Sequence, residues 1–149
     1  MAALTGDRDT PRLTGGFDFV RAYAMKANDT IHAGSLVQLG ADGYAIPASK
    51  AAGQVTIGRA EETVASPSTD SDGDRKVRVR AGIFRWDNLA TNKVARADIG
   101  SRVYVEDDQT IRKASNANGT AAGLLVDVDG LGAWVATGIP FNADPAATA

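Results

Sequence analysis

The stretch KVRVRAGIFRW, Lys76 to Trp86, alternates charged and apolar side chains with a period of two over its first half. An extended chain puts Lys76, Arg78 and Arg80 on one face and Val77 and Val79 on the other, so this is a strand with one wet and one buried side. Six further segments carry related signals: Ile31 to Leu39, Val55 to Val64, Arg102 to Asp107, Thr110 to Ala114, Ala121 to Asp129 and Ala133 to Ile139. Most are rich in β-branched or aromatic residues, and they are separated by Gly, Asp or Asn. This spacing predicts an all-β fold, a small β-barrel or sandwich of short strands. Helical periodicity is confined to Thr91 to Ser101, which predicts one short helix of about two turns ending at Gly100.

Asp42-Gly43 and Asp129-Gly130 lie between apolar runs and read as tight hairpin turns, the glycine supplying positive φ. Ala65 to Arg75 and Ala114 to Thr120 are polar loops. The length of 149 residues suits one domain, assigned to residues 17–140, with an N-terminal arm at 1–16 and a C-terminal tail at 141–149. Much of the apolar content is alanine, and Leu, Ile, Val and Phe together make up only about a fifth of the chain. A thin core of this kind predicts that subunits share buried surface. The arm holds few large apolar residues and is expected to be disordered in isolation. It leads into FDFVRAYAM, where Phe17 and Phe19 share a side if the chain is extended.

The formal charge of -2, from 16 basic and 18 acidic residues, offers no general attraction to nucleic acid or an anionic membrane. No apolar run reaches the ~20 residues of a membrane span, and the N-terminus lacks the apolar core of a signal peptide. With no cysteine and a single histidine, His32, thiolate metal sites, a cysteine nucleophile and two-histidine centres lack their parts. Two acidic runs remain. Glu106-Asp107-Asp108 sits between two strands, where a hairpin turn accounts for it. Asp70, Asp72 and Asp74 alternate like the start of a calcium loop, but glycine comes at the fourth position rather than the sixth, and a strand follows. No phosphate-binding, nucleophile-elbow or zincin motif occurs. The chain is therefore expected to be neither an enzyme nor a cofactor carrier, with a calcium- or ligand-binding β-module as the alternative.

In sequence and order, the pieces IHAGSLVQLGADGYAIPA, GRAEETV, RVRAGIFRWDN, ADIGSRVYVEDDQTI and AAGLLVDVDGLGAWV resemble the decoration, or cement, proteins of tailed-bacteriophage capsids. The likeness runs from about Phe17 to Val135. It implies a compact β-domain, commonly a homotrimer, on the outer capsid surface at threefold and quasi-threefold positions. Its partners would be the major capsid protein and other copies of itself, assembly would take place in the bacterial host cytoplasm, and the alternative calcium- or ligand-binding module would belong to a phage head or fibre. Candidate capsid or subunit contacts are Arg12, Phe17, Phe19, Arg78, Arg80, Phe84 and Trp86, with the arm ordering on the capsid through Arg12 and Phe17.

Overall fold

The computed structural model describes residues 5, 8, 9, 18–113 and 119–141. It is all-β, with a closed five-stranded barrel and additional strands wrapped around it. The strands are β1 (Phe19–Ala24), β2 (Asp29–Ile31), β3 (Leu36–Leu39), β4 (Ala45–Pro47), β5 (Val55–Ala60) and β6 (Val64–Ser66). They continue with β7 (Lys76–Asn88), β8 (Arg102–Val105), β9 (Thr110–Arg112), β10 (Ala121–Asp129) and β11 (Gly132–Thr137). The barrel runs β7-β11-β10-β8-β9 and closes where β9 returns to β7 in parallel, Asp87 opposite Thr110. The extra layer runs β4-β3-β5 onto the first half of β7, which also pairs with β1. β2 and β6 form a separate two-stranded ribbon.

β7 belongs to both layers, and its buried face changes along its length. In the first half Val77, Val79 and Ala81 are buried, while Lys76 and Arg78 are exposed and Arg80 is half-buried. From Gly82 onwards the other face turns inward, burying Gly82 and Trp86 and half-burying Phe84. Each half therefore serves its own core. Val77 and Val79 pack with Met25, Ile31, Val37 and Ile57. Trp86 packs inside the barrel with Val103, Val105, Ile111, Leu125 and Val135, and Leu36 of β3 joins them. Within β3, Leu36 and Val37 point to opposite sides and enter different clusters, so this strand is covered on both faces. Alanines fill many of the positions where strands come close, among them Ala45, Ala60, Ala122 and Ala133.

Two predicted strands are each divided in two. Ile31 to Leu39 breaks at His32–Ser35, and Val55 to Val64 breaks at Glu61–Thr63. The breaks lie side by side: Gly34 N–H donates to Ala60 O and Ala60 N–H to Ser35 O, at 2.9 Å each. Both segments thus pass together from the large sheet into the β2–β6 ribbon. The helix predicted over Thr91 to Ser101 is replaced by two single 3-10 turns, Ala90–Asn92 and Arg96–Asp98. Between them Val94 is buried, and the Asn88 side chain bonds both its N–H (3.0 Å) and its carbonyl (2.9 Å), which holds the chain extended. Both Asp-Gly hairpins form, β3–β4 and β10–β11. Gly43 has the expected positive φ of 83°. Gly130 does not adopt one; instead Asp129 closes its turn by accepting from Leu131 N–H at 2.8 Å and Gly132 N–H at 3.0 Å.

Gly58, paired with Val37 beside the shift in the β3–β5 register, has φ 142°, and a Cβ there would lie 2.2 Å from the Arg80 carbonyl of β7. Gly58→Ala should cost about 2–4 kcal/mol in denaturant unfolding, combining backbone strain with a forced shift of β5 against its neighbour β7. Gly43→Ala, where a Cβ meets nothing within 4 Å, should cost only about 1 kcal/mol. Equal losses for the two variants would contradict this account of the β5–β7 contact.

Candidate functional site: an arginine and aromatic groove

The place where β7 exchanges its buried face is marked on the surface by a groove. β5 and β7 set Arg59 opposite Arg80, and the face of Arg80 continues through Gly82 to Phe84. Glu61 lies between the two guanidiniums, accepting from Arg59 at 2.8 Å and from Arg80 Nε at 2.6 Å. Arg80 also donates to Asp18, just before β1. The Arg59 guanidinium stands 4.4 Å from the centroid of the Phe84 ring, and Phe84 meets Trp86 edge-on at 6.1 Å. Arg85 lies 5.5 Å from the Trp134 ring, whose Nε1 donates to Asp129 at 2.9 Å. The resulting open cleft of about 540 Å³ is lined by Asp18, Arg59, Arg80, Phe84, Arg85 and Trp134, among others.

Burial is the largest single influence on the Glu61 carboxyl and pushes its pKa up, but Arg59 and Arg80 together hold it below the ordinary value. Arg80 is raised by Glu61 first and then Asp18. The guanidiniums are therefore fixed charges whose orientation is set from beneath.

The structure separates the residues predicted to form contacts. Arg80 and Phe84 meet in the groove. Arg78 is exposed further along β7 and bridges to Glu62 at 3.3 Å. Phe19 is half-buried at the start of β1, opposite Ala81. Trp86 also lines the groove but is only 5% exposed, and its Nε1 donates to Thr137 Oγ1 at 3.1 Å inside the barrel. Arg12 and Phe17 lie outside the described residues. Sequence reasoning missed Asp18, Arg59, Glu61 and Arg85, because nothing local distinguishes them from other surface charges. Trp134, an aromatic in the last predicted strand, was the one available signal.

The acidic runs are occupied by their own chain. Glu106 accepts from Arg112 at 2.9 Å, and Asp107 closes its turn by accepting from Gln109 N–H at 2.9 Å. In the loop after β6, Asp70 takes Arg75 at 2.7 Å, Asp74 takes Ser71 N–H at 2.8 Å, and Asp72 takes Ala27 N–H at 2.9 Å and Lys26 at 3.2 Å. The three carboxylates thus face different partners, and among the described residues no group of three or more His, Cys, Asp or Glu is arranged to hold a metal ion. His32 shares a shallow cleft with Ser35 and Asp108, but the Ser35 hydroxyl is buried away from solvent. No described helix is long and apolar enough to cross a membrane.

What the fold and groove define is an all-β barrel domain whose arginines and aromatics converge on one open surface. No family model, curated protein or solved structure matches the chain.

Lys26 joins the β3–β4 turn to the polar loop by bridging Asp42 at 2.6 Å and Asp72. Its side-chain bonds hold Asp42 below its ordinary pKa, and the Ala27 amide followed by Lys26 does the same for Asp72. For carboxylates shifted down, the stabilising contribution is complete above about pH 4 and is lost as pH falls through the folded-state values. The NMR shift of the Ala27 amide should therefore titrate with a midpoint below 3.8, the ordinary aspartate value. Lys26→Met should raise that midpoint and speed proteolysis within residues 65–75 at neutral pH. An unchanged midpoint and cleavage rate would show that Lys26 does not anchor the loop.

Proposed function

We propose that this protein is a structural component of a tailed-bacteriophage virion that binds the outer surface of the capsid and stabilises the lattice of the major capsid protein. One observation carries the reading. The five pieces that resemble the decoration family fall, in order, on β2–β4, the β5–β6 connection, β7, β8–β9 and β10–β11 of one β-domain, so the likeness follows the folded unit rather than scattered fragments. The surface supports an associating role as well, since Ile83, Val126 and Leu131 are 47%, 42% and 72% exposed, and Phe84 remains half-buried in an open cleft. Self-association into a trimer belongs to this proposal, with Phe84 rather than Trp86 as the aromatic available for contact.

Binding assembled heads in preference to free subunits would stabilise the lattice by mass action. Heads carrying the protein should co-sediment with it and release DNA at a higher temperature than heads lacking it. Equal release temperatures refute the stabilising role. Light scattering of protein released from heads should report a trimer, and a monomer both free and after release refutes that part.

A further inference from the structure

The groove already holds one carboxylate presented by an extended segment. Asp18, immediately before β1, binds Arg80 while its own side chain stays 62% exposed. Among the described residues, three guanidiniums line the cleft against this single lining carboxylate. Glu61, beneath Arg59 and Arg80, is 22% exposed and serves both of them at once. Asp129 approaches Arg85 only to 4.0 Å and is engaged by Leu131, Gly132 and Trp134. Of the three groove arginines, Arg85 is thus the one least committed to a carboxylate among the described residues, and Phe84 and Trp134 supply ring surface beside the charges.

We propose that this groove docks an acidic, extended segment of a partner protein, with one carboxylate displacing Asp18 from Arg80, a second on Arg85, and an apolar side chain against Phe84. Asp18 then acts as an internal competitor occupying the site when the partner is absent. The composition fits such an anchor, since arginine and large aromatics dominate protein interfaces. The cleft volume of about 540 Å³ lies in the ~300–1,000 Å³ range of binding clefts. A nucleic acid strand fits less well: its unbroken row of phosphates would have to pass both Asp18 and Asp129, in a chain whose net charge is -2. The inference goes beyond the capsid reading and holds for any partner with this chemistry.

The test uses the full chain and a fluorescein-labelled decapeptide of alternating Glu and Leu, with a Lys-Leu decapeptide and a single-stranded oligothymidylate as comparisons, read by anisotropy. The Glu-Leu peptide should bind and the Lys-Leu peptide should not, with affinity falling as salt rises. Arg85→Gln should weaken binding about tenfold, as loss of a charged interface partner does. Asp18→Asn should strengthen it severalfold, a gain that misfolding cannot imitate. No binding of the Glu-Leu peptide, equal binding of the two peptides, tighter binding of the oligothymidylate, or an Asp18→Asn variant that binds no better would each overturn the proposal.

Discussion

The structure depends on a single strand being shared. β7 is long enough, at 13 residues, to pair with β1 and β5 along its first half and with β11 and β9 along its second. Because side chains alternate across a strand, each half can bury only one of its two faces in a given layer. β7 meets this constraint by burying one face up to Ala81 and the other from Gly82, at a point where both residues are small. Ala81 is buried, and a Cβ on Gly82 would press on the Phe84 ring at 3.3 Å.

The groove follows from the same exchange. Residues on the face that becomes interior at Gly82 are still near the surface at Arg80, so Arg80 and Phe84 of that face meet at the boundary, while Arg85 and Trp134 line the cleft from the other face. A guanidinium there covers apolar ring surface while its charge is matched by Glu61. Part-buried pairs whose guanidiniums are still about a third exposed, as here, contribute only about 0–1 kcal/mol each. The Arg59–Glu61–Arg80 set therefore matters more for orienting donors towards solvent than for holding the layers together. Stability comes from the buried side chains, where fully burying each large aliphatic or aromatic is worth about 1.5–3 kcal/mol.

Much of the fold was legible in the sequence because β-alternation and turn chemistry are local. Val77 and Val79, the two Asp-Gly hairpins and the Glu106–Asp108 turn all occupy the places that period and propensity assign them. The burial of Trp86 was not legible for an equally local reason: a large aromatic in an alternating strand looks the same whether its face is turned inward or outward. The helix over Thr91 to Ser101 failed because Asn88, outside that window, captures the backbone of Val94. The divisions within Ile31–Leu39 and Val55–Val64 escaped notice since each is caused by the other, through Gly34–Ala60 and Ala60–Ser35 bonds between distant segments.

By itself the sequence determined an all-β chain, the sites of its hairpin turns and the absence of thiol chemistry, since these depend on residue type and near neighbours. Tertiary structure alone decided which face of β7 is buried at each point, how the barrel closes through the parallel β7–β9 pair, and that Asp18, Arg59, Glu61, Arg80 and Arg85 gather around Phe84. The physical reason is range. Propensity acts over a few residues, whereas strand register joins residues such as Asp18 and Arg80, 62 positions apart, and only register determines which charges share a surface.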